Sequence, residues 1–379
     1  MSKRSFRTAA IIVLGTFAIA ALVVVLLIVR ALSYGGEAHD GTGQEVELEV
    51  ASGMSFPQIA SMLSDRGVID KPTWFRMYAM WNGDTTHVKT GKYRIKDNLT
   101  PSDVLAILVA GVKDITVKVT LPEGKNMLEL FDLLEQGRVA PAAALEALAR
   151  DKAVLAKYAI QGDTLDGYLF PDTYQFRVGE KPEVVIERLI TRHREVWNDL
   201  VSNNPRDAAR LKDKLGWSDR DILTMASIVE KEAVDPKERP RIAQVFINRL
   251  SSPSFKPKRL QTDPTIRYGC LVTPPAQKSA ACVAWIEMCT KLGKPPGCER
   301  LHAAQLHDVD NAYNTYTHDK LPPGPISNPG KASIAATISP DGSDYFYFVA
   351  TSKNSRNHAF ARTAEDHERN VKKYVQSDP

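Results

Sequence analysis

The hydrophobic pattern changes sharply about thirty residues into the chain. Residues 8–29 carry no charge and are almost entirely apolar. A helix of about 20 apolar residues crosses a bilayer, whereas the apolar core of a cleavable signal peptide is roughly 7–15 residues long. We therefore predict a transmembrane signal anchor at 8–30 after a short tail at 1–7, with a cleaved signal peptide as the alternative. The basic residues of the tail predict that it stays in the cytoplasm.

Beyond the anchor, a Gly-rich polar segment at 31–44 is typical of a flexible linker. Apolar and polar residues then alternate from Glu45, and helical spacing follows at 59–63. The same strand, turn and helix pattern returns at 117–140, with Gly124 in the turn. This repetition indicates an internal duplication of a small β-α unit, with too few copies for a solenoid.

The remaining pattern divides the chain into a small module at 45–115 and a larger domain at 116–379. The module ends with a predicted strand at 90–95 and a capped helix at 100–111. In the larger domain we predict helices at 140–158, 182–200, 218–232 and 241–250, a loop at 163–176, a hairpin of 344–352 with 357–363, and a polar C-terminal helix. Helices and antiparallel strands in separate runs predict an α+β fold.

The charge balance argues against a nucleic-acid partner. The net charge of +4 is accounted for by four basic residues at or before the end of the anchor, namely Lys3, Arg4, Arg7 and Arg30. Nucleic-acid binding requires a basic field, and the remaining 45 basic and 45 acidic residues do not provide one.

Four cysteines, Cys270, Cys282, Cys289 and Cys298, lie close together in the sequence. In an oxidising compartment this clustering predicts two disulfides, with three connectivities open. A zinc site formed by Cys298, His302 and His307 is the alternative, although its spacing matches no common zinc motif. We expect neither a metal nor a cofactor.

The segment ASIVEKE (226–232) carries two glutamates one residue apart. Ser218 and Asp221 form a capping-box pattern that starts a helix, and at 100° per residue Glu230 falls inside its apolar arc while Glu232 falls just outside. A buried carboxylate without a partner costs several kcal/mol, so Glu230 either forms a structural ion pair or lines a cleft. Burial raises a carboxyl pKa, which suits a general acid that cleaves glycosidic bonds.

Six segments, in this order, resemble the membrane-bound endolytic murein transglycosylase family (MltG-like, or YceG-like). They are LDGYLFPDTY (165–174), ASIVEKE (226–232), VFINRL (245–250), LQTDPTIRYG (260–269), YNTYTHDKLPPGPISNPG (313–330) and YFVA with NHAF (347–350 and 357–360). The chain departs from the family pattern in a longer Cys-containing insertion at 270–306 and in the residues HDK at 318–320.

The resemblance implies a single-pass inner-membrane protein with a LysM-like module at 45–115 and a periplasmic catalytic domain at 116–379. It also implies that Glu230 is the catalytic acid and base. The 6-hydroxyl of MurNAc would attack within the same sugar and leave a 1,6-anhydro end, so that one carboxyl serves both steps. Our candidates for substrate binding are Gln261, Asp263, Asn314, Tyr316, Tyr168 and His358.

Five of these six candidates have a specific structural alternative. Asp263 precedes a proline and would cap a turn, Asn314 and Tyr316 would fix a loop, Tyr168 would belong to the core, and His358 would be a hydrogen-bonded histidine of the hairpin.

The partners implied by the resemblance are peptidoglycan glycan strands, the membrane and peptidoglycan synthases. The implied activity is internal cleavage of nascent strands, which would end strand elongation. A hydrolytic muramidase and a noncatalytic peptidoglycan-binding scaffold are the alternatives.

Overall fold

The computed structural model describes residues 3–112, 115–297, 300–352 and 355–376. Helices predominate in these residues, and their strands pair into three separate two-stranded antiparallel sheets. This arrangement confirms the predicted α+β class. The chain divides into two compact units, Met1–Asp114 and Ile115–Pro379.

The first unit begins with a long apolar helix, α1 (Lys3–Tyr34). Its segment Leu14–Tyr34 is long and apolar enough to cross a membrane, and a signal sequence near the N-terminus has the same character. The prediction of an apolar N-terminal helix is therefore confirmed, and α1 is compatible with either of the two functions considered for it.

The segment predicted as a flexible linker at 31–44 is held at both ends. Tyr34 is buried at the end of α1, and its hydroxyl donates to Asp70 Oδ1 at 2.7 Å. The Asp97 carboxylate accepts the backbone N–H groups of Thr42 and Gly43 at 3.0 and 2.6 Å. The structure differs from the prediction here because both anchoring carboxylates lie more than thirty residues away in sequence.

The rest of the first unit packs three helices against a two-stranded sheet. Alternate residues of the two strands point into the core, as Leu48 and its cross-strand partner Tyr93 do. The Thr100 hydroxyl caps the last helix by accepting the Asp103 N–H. The elements are β1 (Glu45–Val50), α2 (Phe56–Asp65), α3 (Pro72–Trp81), β2 (Gly91–Lys96) and α4 (Pro101–Ala110).

In its described residues, the second unit has eleven α-helices before its C-terminal hairpin, together with one further sheet. Its elements are β3 (Thr116–Thr120), α5 (Met127–Gln136), α6 (Ala142–Arg150), α7 (Lys152–Lys157), β4 (Thr173–Arg177), α8 (Pro182–Asn203), α9 (Pro205–Leu215), α10 (Asp219–Glu232), α11 (Arg239–Ser251), α12 (Asp263–Val272), α13 (Ala280–Lys291), α14 (Ala303–Leu306), α15 (Lys331–Ile338), β5 (Tyr347–Ala350), β6 (His358–Ala361) and α16 (Ala364–Val371).

The second copy of the duplicated pattern forms β3 and α5 as predicted. The predicted loop at 163–176 is wrong at its end, where β4 begins at Thr173 and pairs with β3. Tyr174 and Phe176 alternate with exposed residues and bury their rings. The strand pattern is only five residues long, and its pairing partner lies more than fifty residues earlier.

Helix α10 runs through the core of the second unit. All residues from Ile222 to Val229 are buried, because the helix packs against α11, α12 and α15 on different sides. Its polar C-terminal turn, Glu230 to Glu232, emerges where these elements and several loops meet. Any chemistry of the ASIVEKE segment therefore takes place on a rigid support.

Candidate active site

The N-terminus of α10 confirms the predicted capping box. The Ser218 hydroxyl accepts the Asp221 N–H at 3.2 Å, and the Asp221 carboxylate accepts the Ser218 N–H at 2.8 Å. These reciprocal bonds satisfy amide groups that have no partner within the helix. The helix ends at Glu232, with Ala233 as its extended C-terminal cap, so both glutamates of ASIVEKE lie in the last turn.

Glu230 is an ion-paired, nearly buried side chain. Its Oε1 lies 3.0 Å from Nη2 of Arg239, and the two side chains are only 6% and 11% exposed. Its Oε2 accepts the Gly330 N–H at 3.1 Å. Glu123 also faces Arg239, with 3.6 Å between Oε2 and Nη2. Both oxygens of Glu230 therefore have protein partners, as expected for the structural ion pair considered from sequence.

Glu232 points to a different side of the helix and lines a cavity of about 540 Å³. The Thr262 hydroxyl donates to its Oε1. Burial raises the pKa of the Glu232 carboxyl, the Thr262 hydrogen bond opposes this, and the negative charge of Asp263 adds to it. The helix angle placed Glu232 outside the apolar arc, but Thr262, from a segment thirty residues further on, covers that side.

Three of the predicted substrate contacts line the same cavity as Glu232, namely Gln261, Asp263 and Tyr316. The Tyr316 hydroxyl donates to Asp263 Oδ1 at 2.8 Å. Gln261 has a left-handed backbone with φ of 54°, and its N–H donates to the Thr315 carbonyl at 3.1 Å. The structure thus brings together four polar side chains that have hydrogen-bonding capacity for a sugar.

A neighbouring cavity of about 520 Å³ is also lined by Gln261 and Tyr316. The two cavities therefore adjoin at these two side chains, and we call them together the Glu232 groove. Its second part is bordered by Arg259, His307 and Thr317.

Arg249, in the VFINRL segment, supports one wall of the Glu232 groove. Its Nε donates to the Phe346 carbonyl at 2.7 Å, and its Nη1 donates to the Leu260 carbonyl. The guanidinium also lies 5.7 Å from the ring centre of Tyr347. Arg249 therefore ties the C-terminal hairpin to the residue before Gln261, a function that its sequence position does not reveal.

Asn314 is fully buried and holds its own loop. Its amide nitrogen donates to the carbonyls of Gln305, Leu306 and Asp308 at 2.8–3.2 Å. Its oxygen accepts the Tyr316 N–H at 3.0 Å. A fully buried amide used in this way cannot reach a sugar, so its placement fits the alternative of loop fixation and gives the substrate-contact prediction no support.

The last two predicted contacts lie outside the Glu232 groove. Tyr168 packs edge to face on His193 and lines a different cavity. His358 pairs with Glu238, whose Oε2 lies 2.7 Å from Nδ1, and its side chain is 10% exposed. These placements fit the core and hairpin alternatives for the two residues.

The Pro-rich loop at 321–330 is fastened to α10 and to the segment at 166–169 by buried polar contacts. The Ile326 N–H donates to the Ser227 hydroxyl at 2.9 Å. Asn328, which is fully buried, accepts the N–H groups of Gly167 and Leu169 at 2.9 Å each. Asn328 also donates to the Asp166 carboxylate at 3.2 Å. Ser227 and Asn328 are structural residues whose partners could not be identified from sequence alone.

The cysteine cluster contains the disulfide Cys270–Cys282, which joins α12 to α13. Cys289 is disulfide-bonded as well, and Cys298 lies outside the described residues. The bridge supports a small separate core that includes Ile266 and Trp285. Within the described residues, no group of three His, Cys, Asp or Glu side chains is arranged to hold a metal ion.

Comparison with known proteins identifies relatives that match most of this chain. An endolytic murein transglycosylase of Bacillus subtilis (strain 168) is 28% identical over 355 residues, which cover 88% of this chain and 85% of that protein. An endolytic murein transglycosylase of Streptococcus pneumoniae serotype 2 is 27% identical over 357 residues, which cover 88% of this chain but only 59% of that longer protein.

The fold is also similar to a crystal structure of a YceG-like protein from Listeria monocytogenes. That structure shares 28% sequence identity with a TM-score of 0.52, and the match covers 86% of this chain and 99% of the other. The profile of the YceG-like family matches residues 48–373. Because this match spans most of both units, the chain belongs to the YceG-like family.

Proposed function

We propose that the chain is a lytic transglycosylase that cleaves the β-1,4 bond between MurNAc and GlcNAc in peptidoglycan, with Glu232 as its acid and base. The observation that carries this proposal is that the Glu232 carboxyl, whose pKa burial raises, lines a polar cavity together with Gln261, Asp263 and Tyr316. The names of the two transglycosylase relatives support the reaction class.

In the proposed mechanism, protonated Glu232 gives its proton to the glycosidic oxygen as the bond from that oxygen to the anomeric carbon breaks. The ionised carboxylate then accepts the proton of the MurNAc 6-hydroxyl as its oxygen bonds to the anomeric carbon. Since the nucleophile belongs to the same sugar, no activated water is needed. The substrate's acetamido group would stabilise positive charge at the anomeric carbon.

The assignment of Glu230 as the acid stays a prediction, and the geometry favours Glu232. A proton donor must reach the glycosidic oxygen directly or through one water. Both oxygens of Glu230 are engaged by Arg239 and Gly330, whereas Glu232 has one oxygen bonded by Thr262 and lines the groove. The two glutamates differ by only two positions on the same helix, so they provide a matched pair for an experiment.

The test compares Glu232→Gln with Glu230→Gln in the full chain, using purified peptidoglycan and mass spectrometry of the products. We expect Glu232→Gln to keep its helical circular dichroism and its glycan binding but to yield no 1,6-anhydro ends. Glu230→Gln should still yield them. The opposite pattern would return the catalytic role to Glu230 and refute the Glu232 proposal.

The same products separate the competing functions. Reducing ends in place of anhydro ends would indicate a hydrolytic muramidase. Normal cell-wall phenotypes from both glutamine variants in a strain lacking the protein would indicate a noncatalytic scaffold. A membrane-associated activity that forms anhydro ends within strands would support internal cleavage of nascent glycan and a contribution to ending strand elongation.

We also propose that α1 is a retained single-pass anchor, with residues 1–7 in the cytoplasm and the rest in the periplasm. The module at 45–115 would be LysM-like and bind glycan, ahead of a catalytic domain at 116–379 that works beside peptidoglycan synthases. The length of α1 and the basic residues at its N-terminal end support this topology. Alkaline phosphatase fused to the C-terminus of the chain should be active, because this enzyme works only in the periplasm. An inactive fusion would indicate the opposite orientation in the membrane.

A further inference from the structure

A second cavity lies beside the other end of α10. It has a volume of about 280 Å³ and is lined by Tyr168, His193 and Trp197 on one side and by Arg220 on another. At a rise of 1.5 Å per residue, Arg220 lies about 18 Å along the helix from Glu232. This cavity is therefore separate from the Glu232 groove, and the proposed reaction does not use it.

His193 is the most unusual residue of this cavity. It is only 5% exposed, and neither ring nitrogen has a hydrogen-bond partner among the described residues. Its ring lies between Tyr168 and Trp197, with centroid distances of 5.2 and 6.1 Å. Burial lowers the pKa of His193 to about 4, so at neutral pH the ring carries one N–H donor. Buried polar groups normally have partners, and this one borders an open cavity.

Arg220 is held in place with one end available. Its Nη2 donates to the Pro323 carbonyl at 3.1 Å. A Cβ at Gly162 or Gly324 would fall 2.3 or 2.1 Å from that nitrogen, so both glycines leave room for the guanidinium. Its Nη1 is buried and has no hydrogen-bond partner within the described part of the chain. The guanidinium is thus positioned before any ligand arrives.

The charges around the cavity favour an anion. Arg194 also lines it and donates to the Tyr158 carbonyl at 2.9 Å. Asp219 is the acidic residue of the lining, and Lys212 lies 2.6 Å from its carboxylate. Among the lining side chains, two guanidinium groups and one already paired carboxylate leave a net positive charge. Guanidinium and neutral imidazole N–H groups both bind carboxylates well.

We infer that this cavity binds a peptide carboxylate of a muropeptide, with the carboxylate at Arg220 and His193 and the sugar or alkyl part against Tyr168 and Trp197. The choice of a muropeptide rests on the proposed function, whereas the carboxylate preference rests on the cavity alone. The peptide could belong to the strand being cut or to a released fragment.

The test uses muramyl dipeptide, which is a single sugar with a carboxylate-bearing peptide and so contains no glycosidic bond to cut. Binding to the full chain in detergent micelles is measured by calorimetry, with the His193 imidazole signals followed by NMR. N-acetylglucosamine and the amidated dipeptide are the controls without carboxylates. We expect muramyl dipeptide to shift the His193 signals and the two controls to leave them unchanged.

Gln161, an exposed residue of the cavity lining, offers a substitution that does not disturb the core. Gln161→Glu adds a negative charge without changing size and should weaken muramyl dipeptide binding roughly tenfold by like-charge repulsion. Gln161→Lys should bind it at least as tightly as the native chain. Equal binding by all three proteins, or equal binding of the amidated dipeptide, would overturn the inference.

A final arm identifies the source of the carboxylate. In the Glu232→Gln background, uncut glycan strands with peptides should compete with muramyl dipeptide if the cavity serves the substrate, and should fail to compete if it serves released fragments. Cleavage is measured separately on the native chain. If cleavage is normal but the Gln161 substitutions do not change muramyl dipeptide binding, only the cavity inference is refuted. If those substitutions change binding as expected but no cleavage occurs, only the proposed reaction is refuted.

Discussion

The ion pair between Glu230 and Arg239 offers a direct test of the different roles assigned to the two glutamates. We consider Arg239→Met, which keeps much of the side-chain volume and removes the charge. Both members of the pair are about nine-tenths buried, and Glu230 would keep only the Gly330 N–H as a partner. Removing one partner of a buried pair costs about 3–5 kcal/mol, against roughly 0–1 kcal/mol for an exposed pair.

For a domain of this size, that loss corresponds to a fall of roughly 6–20 °C in Tm, at about 2–4 °C for each kcal/mol. The assay is thermal unfolding of the full chain in micelles, followed by circular dichroism. Arg362→Gln is the matched control, because it breaks an ion pair with Asp344 in which both side chains are more than half exposed. We expect no measurable change in that control.

Glu230→Gln should fall between these two variants. The glutamine still accepts a hydrogen bond from Gly330, and Glu123 remains 3.6 Å from Arg239 to share its charge. Folded Arg239→Met should retain cleavage below its Tm, since the Glu232 groove is formed by other residues. If Arg239→Met unfolds at the same temperature as Arg362→Gln, Glu230 is not held by a stabilising pair, and our main argument against its catalytic role fails.

Two further predictions concern the Glu232 groove. The Thr262 hydroxyl opposes the burial that raises the pKa of Glu232, so Thr262→Val should raise that pKa further and keep the acid protonated to higher pH. The alkaline limb of the kcat/KM profile should therefore move to higher pH. A limb that stays in place or moves to lower pH contradicts the assignment of Glu232 as the acid. Asn314→Ala should lower Tm with little change in the KM of the folded enzyme, whereas Gln261→Ala should raise KM with little change in Tm. If the two variants show the reverse pattern, Asn314 is the substrate contact.

The predictable parts of the fold are those whose causes lie within a few residues. The capping box of Ser218 and Asp221 and the Thr100 cap are local hydrogen bonds, so the sequence indicates where those helices start. Strand β4 is not predictable from its own segment because its alternation is short and its pairing partner β3 is distant. The held ends of the segment at 31–44 depend on distant carboxylates in the same way.

The helix angle of α10 was informative about direction but not about environment. It places Glu230 toward the buried side, as the structure does, but it cannot identify Arg239 as the ion-pair partner of Glu230. It placed Glu232 at the edge of the apolar arc, although Thr262 covers that edge. A single helix shows which side chains point inward, while the burial of each one depends on all the elements packed around it.

The last turn of α10 shows why two glutamates so close in sequence can serve different purposes. Residues two positions apart on a helix point about 200° away from each other, so Glu230 and Glu232 cannot face the same cavity. Lys231 lies between them and donates to the Gly124 carbonyl at 3.1 Å. Three consecutive side chains thus contact three different segments, and two of these contacts fix the position of the helix end. The third side chain, Glu232, faces the groove from a helix end that the contacts of Glu230 and Lys231 hold in place. A proton donor needs such a fixed position, because it must meet one particular oxygen of the substrate.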